Sequence, residues 1–98
     1  MDGSKAYRKR VIQEMPKISK FNGLTVKMYY RQNEHNPPHI HFFYGEYQGV
    51  LEIKTGKLID GKLPKTALKM AQEWTLLYTA ELSQIWNSQK FYELPPLD

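Results

Sequence analysis

All three histidines of this chain lie within seven residues of one another: His35, His39 and His41. An imidazole changes charge near neutral pH, so it can act as a general acid or base, and its neutral form binds metal ions. His39 and His41 are two residues apart, and on a β-strand that spacing places both side chains on one face of the sheet. His35 precedes the Pro37-Pro38 corner, from which it is able to fold back towards the other two.

Three interpretations of this cluster stay open. In a metal site, His35, His39 and His41 would hold zinc and leave one position for a water molecule, which the metal would acidify. In a metal-free site the same histidines would be the catalytic residues that transfer protons. There Arg31 would bind a phosphate, and Tyr29 or Tyr44 would stack on a base or donate a proton, a set suited to RNA cleavage through the 2′-hydroxyl. In a structural role the imidazoles would only pack and hydrogen-bond to carbonyl groups.

The net charge of +4 is unevenly distributed. Residues 1–31 carry eight basic and two acidic side chains, a balance of +6, whereas residues 32–98 carry six basic and eight acidic ones, a balance of −2. A basic segment attracts phosphate backbones by releasing their counterions. Lys17, Lys20, Lys27 and Arg31 are therefore candidate nucleic-acid-binding residues, and a solvated basic face is the alternative.

Length and composition limit the other possibilities. The 98 residues suit a single domain, and the absence of cysteine excludes disulfides and thiolate metal sites. We expect a flexible basic extension at residues 1–14 and one α+β domain at residues 15–98. No apolar run approaches the roughly 18 residues of a membrane span, and no signal-peptide core is evident. The expectation is a cytoplasmic protein without a membrane partner and without a cofactor, with zinc as the alternative.

Short alternating segments separated by turn residues predict four strands. Their predicted ranges are Leu24–Arg31, His39–Tyr44, Tyr47–Lys54 and Lys57–Asp60. Brief connections between consecutive strands favour an antiparallel meander.

After the strands, apolar residues recur at the helical period from Pro64 to about Gln89. One helix of that length would measure about 39 Å, more than the expected width of the domain, which predicts a bend or break near Thr79. The tail Phe91–Asp98 should pack as an extended strap. The predicted fold class is α+β, with an antiparallel sheet of about four strands packed against one long or bent C-terminal helix.

Several short motifs together suggest a family. They are Met15-Pro16-Lys17-Ile18-Ser19, Phe21-Asn22-Gly23, Met28-Tyr29-Tyr30, His35-Asn36-Pro37-Pro38-His39-Ile40-His41, Tyr44-Gly45-Glu46, Gly61-Lys62-Leu63-Pro64, Trp74, Glu81-Leu82, Trp86 and Pro96-Leu97. With them the chain resembles the bacterial domain of unknown function 4160 family over about Met15 to Leu97. The resemblance implies a small protein partner encoded by a neighbouring gene, such as a member of the domain of unknown function 2442 family, in a toxin–antitoxin-like pair. It carries over the motif residues, and no catalytic set.

The leading hypothesis is a nucleic-acid-directed accessory protein, with RNA favoured over DNA, acting as the toxin-like component of such a pair. One alternative is a non-catalytic module that binds another protein through exposed sheet edges and aromatic side chains. The other alternative is a hydrolase that uses a zinc ion held by the histidines. The sequence leaves the oligomeric state open.

Overall fold

The structure, a computed structural model, describes residues 16–30 and 37–98. The predicted extension at residues 1–14, Arg31 and His35 lie outside the described residues, so the predictions about them stay predictions. Seven elements follow in chain order, namely β1 (Lys17–Phe21), β2 (Leu24–Lys27), β3 (His39–Tyr44), β4 (Tyr47–Glu52), β5 (Leu58–Lys62), α1 (Lys65–Leu77) and α2 (Thr79–Ser88).

The strands form one antiparallel sheet in the order β1-β2-β3-β4-β5, so the predicted meander is confirmed. The sheet has five strands rather than the predicted four or so, and the additional strand is β1. Asn22 and Gly23 turn the chain between β1 and β2 with φ values of 47° and 83°, the positive angles that a tight hairpin requires. A β-bulge between Lys17 and Ser19 breaks the alternation of β1, which removed its period-2 signal from the sequence.

Strand boundaries differ from the predictions by a few residues. β2 ends at Lys27 rather than at Arg31, and β4 ends at Glu52 because residues 53–55 form a turn. The strand predicted at Lys57–Asp60 lies at Leu58–Lys62. β3 has the predicted bounds, His39–Tyr44.

The helical segment is broken beside Thr79, where a bend or break was expected from its length. α1 ends at Leu77, Tyr78 leaves the helical geometry with φ −109° and ψ 27°, and α2 begins at Thr79. The Thr79 hydroxyl donates to the carbonyl oxygen of Thr75 or Leu76, each 3.1 Å away, at the open turn. Two short helices can therefore follow the sheet where one straight helix would extend past it.

The helices cover one face of the sheet. Ile40 and Phe42 of β3 are fully buried on that face, and the Phe42 ring meets the Trp74 indole edge-to-face with centroids 6.0 Å apart. Since side chains alternate along a strand, His39, His41 and Phe43 point to the opposite face. We call this opposite face the open face.

The C-terminal tail crosses the edge of the sheet, as predicted for a strap. The amide of Leu94 donates to the carbonyl oxygen of Ile18 at 2.7 Å, and the indole Nε1 of Trp74 donates to that of Pro95 at 2.8 Å. These bonds hold the tail against β1 and α1. In the described part of the chain, neither helix has the length and apolar character needed to cross a membrane.

Candidate nucleic-acid interface and histidine pocket

The pocket on the open face begins with two neighbouring imidazoles. His39 and His41 project from β3 on the same side, with ring centroids 5.4 Å apart. Both side chains are largely buried, at 9% and 7% exposure. The prediction that they share a sheet face is confirmed, because it follows from strand alternation alone.

The imidazole of His39 is oriented by the proline corner. Its Nδ1 lies 2.8 Å from the carbonyl oxygen of Pro37, which can only accept, so Nδ1 carries a proton and donates. The backbone amide of Ile53 donates to the carbonyl oxygen of Pro38 at 3.0 Å, which holds the corner against the sheet. The Trp86 ring of α2 packs on the imidazole with centroids 5.0 Å apart. In neutral His39 the Nε2 lone pair is therefore available to accept a proton or bind a ligand.

The imidazole of His41 has the complementary arrangement. The side-chain amide nitrogen of Gln48 lies 3.3 Å from Nδ1 and donates to it, which places the proton of the neutral ring on Nε2. Nε2 is buried and has no hydrogen-bond partner among the residues that the structure describes. Burial, and then the neighbouring His39, lower the pKa of His41 from 6.5 to about 4, against the opposing effect of Asp60. His41 is therefore neutral at pH 7, and among the described residues its Nε2–H donor stays unpaired.

Tyr29 lies on the same face as the histidines, because the register of β2 against β3 places it there. Lys27 pairs with His41 across β2 and β3, and Tyr29 lies two residues further along, on the same side of the chain. Its ring centroid is 4.2 Å from that of His41, and the side chain is 38% exposed. The structure thus brings together three of the five predicted catalytic residues, while Arg31 and His35 lie outside its described ranges.

These side chains surround a pocket of about 480 Å³. It is lined by Tyr29, Pro37, His39, His41, Val50, Ile59 and Asp60. Val50 occupies the floor, because it pairs with His41 of β3 on one side and with Asp60 of β5 on the other. Sequence reasoning missed Val50, Ile59 and Asp60, and no local pattern marks them, since Val50 joins the site through the pairing of β3 with β4 and the other two through the pairing of β4 with β5.

The predicted lysines lie on the open face as well. Lys17 pairs with Lys27, which pairs with His41, while Lys20 pairs with Thr25, the partner of Phe43. The Lys27 ammonium lies 5.7 Å from the centre of the Phe43 ring, a cation–π distance.

A further lysine on the open face was missed by the sequence analysis. Lys62 of β5 pairs with Gln48, which in turn pairs with Phe43, so Lys62 shares the face of the other three lysines. The open face of the described sheet therefore combines lysines, exposed aromatic surface and the histidine pocket.

The zinc interpretation stays a prediction. Within residues 16–30 and 37–98, no group of three His, Cys, Asp or Glu side chains is arranged to hold a metal ion. His39 and His41 are neighbours, and the third predicted ligand, His35, lies outside the described residues. Zinc that copurifies with the protein and is lost in His35→Ala would support the interpretation.

The two imidazoles are not equivalent, and this limits the chemistry of the pocket. Neutral His39 carries its proton on Nδ1, so its Nε2 has a lone pair that can accept a proton from a bound hydroxyl. His41 is uncharged at neutral pH and serves as a hydrogen-bond donor rather than as a strong acid. The arrangement suits recognition of a ligand that has both polar and apolar parts, and it offers His39 as a general base.

Comparison with known proteins identifies a family but no individual curated protein or solved structure. No curated protein and no solved structure matches the chain. One family model matches residues 23–87, which are 65 of the 98 residues and run from the β1–β2 turn to the end of α2. This match is shorter than the resemblance from Met15 to Leu97, but it includes the two pocket histidines and Asp60. The chain therefore belongs to the family described as Domain of unknown function (DUF4160).

Proposed function

We propose that the protein binds single-stranded RNA on its open face. The observation that carries this proposal is the common face of the lysines and the histidine pocket. Lys17, Lys20 and Lys27 lie on the same side of the sheet as His39 and His41, opposite α1. A phosphate backbone held by the lysines would run past the pocket, so that an unstacked nucleotide is able to enter it.

Aromatic side chains supply the second part of the argument. Single-stranded RNA is commonly bound on sheet surfaces where bases stack on aromatic rings while basic groups contact the phosphates. Tyr29 is 38% exposed at the mouth of the pocket, and Phe43 is half-buried beside the Lys27 ammonium. A base stacked on either ring would lie within reach of a lysine.

The charge of the open face predicts modest, salt-dependent binding. In the described strands this face carries four lysines, at positions 17, 20, 27 and 62, and two carboxylates, those of Glu52 and Asp60. For single strands the slope of log K against log salt is about −0.7 for each neutralised phosphate, so four lysines give a slope of roughly −3.

Cleavage of the bound strand is the enzymatic form of the same proposal. His39 Nε2 would take the proton of a 2′-hydroxyl, the oxygen would form a bond to the adjacent phosphorus, and the P–O5′ bond would break. The departing O5′ would take a proton from water, because His41, with a pKa lowered to about 4, is too rarely protonated at pH 7 to supply one. A site with a base but no matched acid should cleave slowly, so binding is the principal function proposed.

The proposal includes the toxin-like role in the cytoplasm that the family resemblance implies. An RNA-binding toxin would slow growth when expressed alone, and the small protein encoded beside it would restore growth when both are expressed. Growth curves of a host carrying one or both genes measure this. Normal growth with the single gene at high expression would remove the toxin-like role and leave RNA binding to be judged separately.

Fluorescence anisotropy with a labelled twelve-nucleotide single-stranded RNA tests the proposal directly. Binding is measured between 50 and 200 mM salt for the wild type and for Lys20→Gln/Lys27→Gln on the open face. The matched control is Lys65→Gln/Lys69→Gln, which removes the same charge from exposed positions of α1 on the helical side. We expect the open-face variant to weaken binding and to reduce the slope by about 1.4, and the control to do neither. Equal effects of the two variants, or no binding by the wild type, would overturn the proposal.

A protein-binding role is the second candidate, and a different surface favours it. Leu76 and Leu77 at the end of α1 are 51% and 61% exposed, although both are large and apolar. Adjacent exposed leucines are typical of a contact with another protein. A complex with the neighbouring gene product that is lost in Leu77→Ser and retained in Lys20→Gln/Lys27→Gln would establish this role independently of RNA.

A further inference from the structure

We propose that the histidine pocket accepts one base of the bound strand and selects guanine. Asp60 would accept hydrogen bonds from guanine N1–H and from its 2-amino group, and His41 Nε2–H would donate to O6. This inference rests on the proposed RNA binding and adds the base that the site recognises.

The two recognition groups project from the same face of the sheet, on either side of Val50, and both line the pocket. Val50 pairs with His41 in the β3–β4 ladder and with Asp60 in the β4–β5 ladder, so all three share the open face. Neighbouring strands lie about 4.8 Å apart, which places the backbones of His41 and Asp60 roughly 10 Å from each other. A base that enters edge-first above Val50 would present its Watson–Crick edge to both side chains, and the volume of about 480 Å³ is within the range of small-molecule sites.

Each group has unused hydrogen-bonding capacity. His41 is only 7% exposed, and its buried Nε2 has no partner among the described residues. A buried donor without a partner carries a free-energy penalty, which a ligand acceptor would remove once the partly exposed Tyr29 ring, 4.2 Å from the imidazole, moves aside for it. Asp60 Oδ1 accepts from the amide of Gly61 at 2.9 Å, which orients the carboxylate and leaves the second lone pair of Oδ1 and the other oxygen to accept from a ligand.

This pair of groups discriminates among the bases by the direction of their hydrogen bonds. Guanine presents an acceptor, O6, next to two donors, N1–H and the 2-amino group, in the order that His41 and Asp60 require. Adenine presents a donor to His41 and a lone pair to Asp60, so both contacts would be repulsive. Cytosine has the same mismatch, and uracil offers one acceptor but only one donor. The expected order is guanine first, uracil second, and adenine and cytosine last.

Apolar walls complete the fit for a planar ring. Tyr29 and Ile59 line the pocket and remain 38% and 41% exposed, so their surfaces can cover the faces of a bound base. Stacking on such side chains is not selective among bases. Selection therefore depends on Asp60 and His41, which makes it separable from general RNA affinity.

The test compares twelve-nucleotide RNA strands of cytidine that carry one central guanosine, inosine, adenosine or uridine, with the all-cytidine strand as reference. We expect the guanosine strand to bind about tenfold more tightly than the adenosine strand, as charge-assisted hydrogen bonds warrant. Inosine lacks the 2-amino group and should fall between them. In Asp60→Asn the guanosine-to-adenosine ratio should fall to near one. Glu52→Gln, which removes the same charge from the open face outside the pocket, should keep it near ten.

The outcomes separate this inference from the proposed function. Equal affinity for all strands would overturn guanine selection and leave RNA binding intact. A guanine preference that persists in Asp60→Asn would overturn the assignment of that carboxylate. Failure of every strand to bind would overturn the proposed function and the inference together.

Discussion

The aromatic ring of Tyr29 lies 4.2 Å from the imidazole of His41, centroid to centroid, at an interplanar angle of 51°. Tyr29 follows the end of β2 and His41 lies within β3, so this contact joins two neighbouring segments on the open face. The phenol covers part of the imidazole and helps to keep water from it, which favours the neutral ring. The same phenol remains partly exposed and presents its surface to any ligand of the pocket.

Replacing Tyr29 should weaken RNA binding without unfolding the protein. Tyr29→Leu removes the aromatic surface on which a base would stack, and loss of one stacked base lowers affinity by about tenfold. Tyr47→Leu is the matched control. Tyr47 is similarly exposed, at 37% against 38%, but it pairs with Tyr44 on the helical side of the sheet. Anisotropy measurements should show a loss of RNA affinity for Tyr29→Leu and none for Tyr47→Leu. Equal losses of affinity in the two variants would argue against stacking on the open face.

Replacing His39 tests the enzymatic form of the proposal. Asparagine has no basic nitrogen, so His39→Asn should reduce strand cleavage by about 100-fold or more at pH 7.5. The assay follows end-labelled RNA on a gel and looks for 2′,3′-cyclic phosphate ends. Glu52→Gln, at the strand partner of His39, is the control and should keep the wild-type rate. If the wild type cleaves no faster than His39→Asn, the protein binds RNA without cleaving it.

His41 should make the folded state sensitive to acid. The pKa of His41 is lowered from 6.5 to about 4 on folding, so between these values the unfolded chain binds more protons than the folded one. Stability is therefore complete above about pH 6.5 and decreases as the pH falls towards 4. Without screening, a pKa shift of this size would lower the free energy of unfolding by a larger amount. Solvent in the pocket screens the charge, so we expect the free energy of unfolding to fall by about 2 kcal/mol.

Urea denaturation at pH 7.5 and pH 4.5 measures this loss. His41→Gln cannot titrate, so its free energy of unfolding should fall less between the two pH values than that of the wild type. The difference between the two proteins isolates His41 from the other groups that titrate in this interval. Parallel pH dependence in the wild type and the variant would contradict the burial of a neutral imidazole.

Gly61 should be required for the pairing that brings Asp60 to the pocket. Its φ is +76°, and an added Cβ would lie 2.1 Å from the carbonyl oxygen of Gln48 in β4. Gly61→Ala should destabilise the fold by about 3 kcal/mol or more, since the neighbouring backbone must move. Gly45→Ala is the control, because Gly45 also has a positive φ, +57°, but open space around it, and it should lose only about 1 kcal/mol. Thermal unfolding measures the loss of stability in both variants. Similar losses would mean that the positive φ alone, and not the contact with Gln48, causes the destabilisation.

Local sequence patterns were sufficient for several elements. β3 was predicted with its observed bounds because an alternating apolar segment lies between the proline corner and the Gly45-Glu46 turn. The break beside Thr79 followed from comparing the helix length with the size of the domain. By contrast, β1 was missed because its bulge interrupts the alternation on which strand prediction depends.

The sequence by itself determined that His39 and His41 share a face, since side chains two apart on a strand always do. It could not decide that Tyr29 joins them, that His41 is neutral, or that Asp60 lines the same pocket. Those features depend on the register of β2 and β4 against β3 and of β5 against β4, and a shift of one residue would turn the side chains to the other face. The Gly45-Glu46 turn fixes the register of β4 against β3 locally, but longer connections separate β2 from β3 and β4 from β5. Their registers are set by packing contacts across the sheet, so only the tertiary structure decided which groups surround the histidines.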